Sequence, residues 1–278
     1  MASTRLSPVE KIGYGLGDFG SNVVFQTIII LLPSFYTDVF GLAPAAMATM
    51  FLAVRLLDTI TDPIMGVIAD NTNTRWGKFR PYLLWFSIPF AVVFVLTYWT
   101  PDLAGNAKLL YAYGTYTVLM LLYTVVNIPY CALGGVITSD SQERVSANSY
   151  RFFLATSAGV LITFFGPTLI TYFGNGDDKV GYPWAMAAFS ILAVLAFFGC
   201  FALTKERVVE AQPAKGAFWS DVGTLVKNDQ WMIVAMLGLV SLIAIVLRAG
   251  TAAYYIKWVV GRPDLTAQFL TAGTFAAM

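Results

Sequence analysis

An all-α membrane protein is the fold class this sequence predicts, and three observations carry it. Of 278 residues, 58% are hydrophobic and 12% charged, with no histidine, whereas soluble domains are nearer a quarter charged. Apolar runs of about 20 residues, the length that crosses a bilayer, recur along the whole chain. Basic residues fall in alternate connections, as spanning helices require.

The spans are expected near Val23 to Phe40, Pro44 to Ala69, Pro81 to Thr100, Leu109 to Ile137, Arg151 to Phe173, Pro183 to Leu203 and Trp231 to Val260, with an eighth from Leu265 to the last residue, Met278. The longest polar segment, Thr204 to Gln230, carries Lys205, Arg207, Lys215 and Lys227 and reads as a linker. The expected organisation is therefore a six-span bundle over residues 1–203, a linker loop over 204–230, and the start of a second bundle over 231–278. Arg5, Lys11, Arg75, Lys78, Arg80, Arg144 and the linker share one side, which the positive-inside rule makes cytoplasmic together with the N-terminus. Lys108, Lys179 and Arg262 mark the other side. Six spans, a linker and a second set predict a transporter of two six-span halves, of which this sequence holds the first and part of the second. The first residues carry Glu10 and no small-residue cleavage site, so no cleaved signal peptide is expected.

Other function classes find little support. A net charge of +1 offers no basic surface for nucleic acid, and two cysteines in apolar surroundings, Cys131 and Cys200, make neither a disulfide framework nor a metal site. The glycines of Tyr14-Gly15-Leu16-Gly17-Asp18-Phe19-Gly20 lack the strand and downstream acid of a dinucleotide site, and no P-loop is present. They permit close helix packing or a flexible entry to the first span. No nucleophile–base pair indicates an enzyme, and no cofactor is expected.

Three charges inside the second span are the chemical signal. At 100° per residue, Arg55, Asp58 and Asp62 lie within roughly 60° of one another. An ionisable group in a spanning helix faces a partner or a water-filled path. Arg55 cancels only one of two carboxylates, and the remaining charge suits a monovalent cation held by Asp58, Asp62 and the Thr61 hydroxyl, or a proton shared by the pair. Pro63 removes a backbone hydrogen bond beside Asp62. On the fourth span Thr124, Asn127 and Cys131 share a face, near Tyr123 and Tyr130. Neutral polar groups with aromatic platforms suit a sugar, although helix-to-helix hydrogen bonding has the same signature. Arg151 could donate to hydroxyls or pair with a carboxylate. The basic loop Arg75 to Arg80, with Asp70 or Asp140 as acidic partners, would form a cytoplasmic gate or simply set topology. An uncoupled facilitator, a carrier of amphiphiles and a nontransporting sensor remain as other readings.

Arg55-Leu56-Leu57-Asp58 through Asp62-Pro63-Ile64-Met65-Gly66, followed by Arg75-Trp76-Gly77-Lys78, resembles the glycoside–pentoside–hexuronide:cation symporter family, a branch of the major facilitator superfamily. Tyr36-Thr37-Asp38, Asn127-Ile128-Pro129, Arg151-Phe152-Phe153, Lys227-Asn228-Asp229 and Tyr254-Tyr255 extend the likeness over essentially the whole chain. The resemblance implies a major facilitator-type helical bundle and symport of a sugar or glycoside with sodium or a proton, in the cytoplasmic membrane. It implies a cation site at Asp58 and Asp62 with Thr61 and Thr124 as polar neighbours, and a sugar site including Asn22, Asn127, Cys131 and Arg151. The sequence departs from the family archetype in having Thr61 for an asparagine, amides at Asn22 and Asn127 for acids, and Cys131 for a sugar-stacking tryptophan. Galactoside specificity is not expected to carry over.

Overall fold

A computed structural model describes residues 5–208, 223–224, 227–255 and 259–261. The chain divides into two compact units, 1–212 and 213–278, with the break inside the expected linker. The described residues form helices and loops, with an isolated β-bridge between Thr74 and Gly77.

In the first unit α1 is Pro8–Ile30, followed by the short α2, Leu32–Ser34, and a π-helical turn, Phe35–Val39. Then come α3 (Pro44–Asn71), α4 (Arg80–Trp85), α5 (Ser87–Thr97), α6 (Asn106–Val136), α7 (Ser141–Gly174) and α8 (Asp178–Leu203). Counting α1 with its bent continuation and α4 with α5, six rods stand where six spans are expected. By length and apolarity alone α6, α7 and α8 qualify as membrane-crossing, and the pair bent by 45° after α1 makes a fourth. At 28 residues α3 exceeds the roughly 20 needed, but Arg55, Asp58, Asp62 and Asp70 interrupt its apolar character.

The first rod begins fifteen residues before the expected Val23. Ser7 and Glu10 form a reciprocal capping box, Pro8 occupies the first turn, and the helix then runs without a break through Tyr14 to Asn22. The glycines there serve packing rather than a flexible entry: a Cβ at Gly15 would press on the Tyr150 backbone, and one at Gly17 on Tyr130 and Cys200. Small residues of this kind let spanning helices approach closely. α1 thus packs along both α7 and α8, while α3 packs on α6 and α5 bridges α6 and α8. Arg151, expected at the entrance to the fifth span, stands well inside α7 because that helix starts ten residues earlier, at Ser141.

The core is aromatic towards one end, where Phe35, Tyr36, Phe40, Tyr98 and Tyr182 pack ring to ring. At the opposite end polar contacts tie the rods together: Lys11 to Glu143 at 2.8 Å, Arg207 to Glu10, and the Arg207 and Val208 amides to the Val136 carbonyl. Leu52, Leu56, Ile60 and Ile64, one turn apart on α3, are exposed, as a membrane-facing or partner-facing stripe must be.

In the second unit α9 spans Asp229–Tyr255, opened by the Asn228 side chain accepting from the Trp231 amide at 3.1 Å. The expected eighth span lies outside the described residues.

Candidate functional site

Two charged clusters occupy the interior of the first unit. The first belongs to α3 and α6. Thr124, buried on α6, donates its hydroxyl to Asp62 Oδ1 at 2.8 Å, fixing one carboxylate across the helix interface. Asp58, one turn away, is 8% exposed. Its Oδ2 faces Arg55 Nη1 at 3.5 Å, and its Oδ1 is buried with no hydrogen-bond partner. A buried, unpaired carboxylate oxygen is costly and calls for a partner. Arg55 compensates only in part: its side chain is 52% exposed and its nearest nitrogen stands 3.5 Å from the carboxylate. The Thr61 hydroxyl turns back to the Asp58 carbonyl at 3.5 Å. The hydroxyl of Thr61, expected as a polar neighbour of the pair, is thus engaged by backbone. Pro63 lies inside α3, which continues to Asn71.

The second cluster joins α1 and α7. Arg151 Nε approaches Asp18 Oδ2 at 3.1 Å, Asn22 donates to Asp18 Oδ1 at 3.1 Å, and Arg151 Nη1 reaches the Tyr14 hydroxyl at 3.4 Å. Tyr14 stacks on Tyr130, whose own hydroxyl donates to the Tyr14 carbonyl. Arg151, Tyr14 and Cys131 line a cavity of 260 Å³ with Asn148 and Arg144. Of the sequence candidates, Asn22, Arg151 and Cys131 are thus brought into one neighbourhood. Asn127 is half-buried on α6, one turn from Thr124. Tyr123, expected as a platform, stacks its ring on Phe25 at 5.6 Å and tilts against Phe90.

Phe25 connects the clusters. Asp18, Asn22 and Phe25 follow i, i+4, i+7 and share a face of α1. The Phe25 ring lies 5.9 Å from the Arg55 guanidinium, a cation–π distance.

The basic loop, expected as a gate or a topology signal, is held through its backbone. Glu206 accepts from the backbone amides of Lys78, Phe79 and Arg80 at 2.7–3.0 Å. Gly77, at φ +110°, must be glycine both for that backbone and because a Cβ would collide with the Glu206 carboxylate. Arg80 lies over Phe201 and donates to its carbonyl, and Arg75 lies over Trp76. Asp140, expected as an acidic partner, instead caps α7 by accepting from the Gln142 and Glu143 amides. Asp70 sits near the end of α3, half-buried. Among the described residues no group of three or more His, Cys, Asp or Glu could hold a metal ion.

Comparison with known proteins decides the family. A family model described as MFS/sugar transport protein matches residues 13–278. The chain belongs to this family of membrane transporters. It is 46% identical over 271 residues to the inner membrane symporter YicJ of Escherichia coli (strain K12), covering 98% of this chain and 59% of that protein. It is 37% identical to the isoprimeverose transporter of Lactiplantibacillus pentosus, over 90% of this chain and 53% of that one. The glucuronide carrier protein homolog of Escherichia coli (strain K12) is 34% identical over 94% of this chain and 57% of its own length. The chain spans about 60% or less of the relatives it matches.

Sequence reasoning did not place Asp18, Tyr14, Phe25 and Glu206 in these clusters or in the contacts of the loop. Asp18 had a usable signal, an acid one turn before Asn22, but it lay in a stretch read as preceding the first span. Phe25 and Glu206 had none, because their partners are remote in sequence.

Proposed function

We propose that the protein to which this chain contributes its first half is a cation-coupled symporter, carrying a sugar or glycoside across the cytoplasmic membrane by alternating access. The observation that carries the reading is Asp58 Oδ1, a buried and unpartnered carboxylate oxygen one turn from the Thr124-held Asp62. The pair retains a negative charge that Arg55 does not cancel, and the coupling ion, sodium or a proton, is the species that would neutralise it. The relatives support sugar as cargo by their names: a symporter, an isoprimeverose transporter and a glucuronide carrier homolog. Arg151, Asn22 and Asn127 supply hydroxyl-binding groups, and the 260 Å³ cavity supplies room beside Arg151. Lys11, Arg75, Lys78, Arg80, Arg144 and Arg207 concentrate towards the end of the unit where α1 begins, so that end and the N-terminus face the cytoplasm.

In this mechanism the cation binds first and relieves repulsion between the carboxylates. That favours the arrangement of α1 that presents the sugar groups, because Phe25 carries any movement at Arg55 onto the helix bearing Asp18 and Asn22. The two halves of the full-length protein then rock about the site. The membrane field on one monovalent cation is worth about 2.3 kcal/mol per 100 mV, and about 1.4 kcal/mol is tenfold, so one cation per sugar sustains roughly 40-fold accumulation. The test is uptake of a glycoside panel by the full-length protein in cells lacking other carriers, driven separately by an inward sodium gradient and an inward proton gradient. Accumulation with one gradient identifies the ion. Equal, non-accumulating entry under both contradicts coupling and makes the protein a facilitator.

A further inference from the structure

The end of the first unit opposite the start of α1 carries a second cavity, 210 Å³ in volume, outside both charged clusters. Its walls come from Phe40 after the π-helical turn, from Thr100 to Leu103 between α5 and α6, from Lys108 on the first turn of α6, and from Lys179 on the first turn of α8. The Lys108 ammonium stands 5.0 Å from the Phe40 ring, a contact that positions the charge without cancelling it. Among the described residues Lys108, Lys179 and Asp102 make no ion pair with one another or with any other side chain. The other acids at this end have roles of their own. Asp177 caps α8 by accepting from the Lys179 amide at 2.9 Å, Asp178 stands in the first turn where the helix dipole favours an acid, and Asp38 accepts from the Thr37 hydroxyl at 2.8 Å. Two ammonium groups and one carboxylate, each unpaired, therefore line one small space.

That set complements a phosphate diester carrying an amine, because ammonium groups donate to phosphate oxygens and a carboxylate accepts from an ammonium. The volume is below the roughly 300–1,000 Å³ of sites that enclose a whole small molecule, so it suits one headgroup. The surroundings supply a place for the rest of a lipid. Ile88, Val92 and Leu96 form an exposed apolar stripe on α5 that leads to Trp99, and Val180, Trp184, Ile191 and Leu195 form another on α8, which packs against α5. Trp99 and Trp184 are each more than half exposed, as rings at the level of lipid headgroups are. Acyl chains along the stripes bring their headgroup to the lysines. A free phosphate would use none of this apolar surface and would leave Asp102 without a cation.

We propose that this cavity is a headgroup site for an amine-bearing phospholipid, phosphatidylethanolamine in kind, with the phosphate received by Lys108 and Lys179 and the ammonium by Asp102. By bridging α6 and α8 the lipid stabilises that end of the first unit. The proposal is independent of which ion or sugar the protein carries.

The experiment titrates the full-length protein, delipidated in detergent, with palmitoyl-oleoyl phosphatidylethanolamine, phosphatidylcholine and phosphatidylglycerol, and with water-soluble glycerophosphoethanolamine. Native mass spectrometry reads the bound lipid and the melting temperature reads its effect on the fold. Wild type binds phosphatidylethanolamine at least about tenfold more tightly than the other two lipids, which cannot donate an ammonium hydrogen bond to Asp102. Lys108→Gln and Lys179→Gln each weaken it about fivefold, and together roughly 30-fold. Asp102→Asn erases the preference over phosphatidylglycerol and leaves phosphatidylglycerol binding unweakened. Lipid held only by general contact with the apolar surface would be indifferent to all three substitutions. Wild-type affinity in the double lysine variant overturns the proposal. Should that variant fail to fold, Lys179→Gln alone, at an exposed position, decides by the same criterion. A wild type that holds phosphatidylcholine or phosphatidylglycerol as tightly as phosphatidylethanolamine overturns it without any variant. Glycerophosphoethanolamine bound as tightly as the lipid would make this a site for a soluble phosphate ester and overturn the membrane lipid as its occupant.

Discussion

Asp58 and Asp62 on α3 place two carboxylates against one guanidinium, Arg55, while Asp18 on α1 and Arg151 on α7 place one against one. Arg55 is half exposed and 3.5 Å from its acid; Arg151 is mostly buried and 3.1 Å from its own. The clusters therefore differ in both net charge and compensation. The first keeps a negative charge with an unpartnered oxygen, and the proposed cation site rests on that feature. The second is neutral, and Arg151 keeps spare donors. In the proposed symport this division would let each site be filled without an unpaired charge in the other.

The largest expected effect comes from removing the charge that distinguishes the first cluster. Asp58→Asn brings steady-state accumulation of glycoside from roughly 40-fold to unity at 100 mV, measured as internal over external label in energised cells. Thr124→Val deletes the hydrogen bond that holds Asp62. A bond to a charged group contributes about 1.5–3 kcal/mol, so the ion concentration for half-maximal uptake rises at least about tenfold, with sugar KM at saturating ion little changed. Phe25→Ala attacks the link between the clusters. Cation–π contacts to an exposed cation are worth about 0.5–1 kcal/mol, so the ion's effect on sugar KM shrinks by about two- to fivefold while each ligand still binds. The smallest effect is at Cys131, exposed on the cavity wall beside Arg151. Cys131→Ser changes uptake by less than about twofold, the range of an exposed substitution. Maleimide labelling of Cys131 is slowed by saturating glycoside; labelling indifferent to glycoside would detach the cavity from the sugar path.

The first cluster was legible in the sequence, and the second only in part. Arg55, Asp58 and Asp62 lie on a single helix, so periodicity alone placed them together. Thr124 came from the resemblance, and the 2.8 Å bond to Asp62 supplies its physical reason. The second cluster spans α1 and α7, 133 residues apart at Asp18 and Arg151. No local pattern pairs them, and an apolarity threshold hid Asp18 by starting the first span at Val23. The glycines that lowered the apolar score there are the residues that let α7 and α8 close on α1. Glu206 went unseen in the basic loop for a related reason. Like charges invite opposite charges as partners, but Glu206 binds the backbone amides of the loop, and backbone donors leave no trace in composition.

The central claim, that ion and sugar occupy separate clusters, is tested most directly by measuring accumulation and sugar exchange in the same Asp58→Asn protein, full-length and in liposomes. Exchange needs sugar binding and alternating access, whereas accumulation also needs the ion. The account predicts that labelled glycoside still exchanges across the membrane at a rate within about tenfold of wild type while gradient-driven accumulation is lost. Accumulation that survives in Asp58→Asn would contradict it.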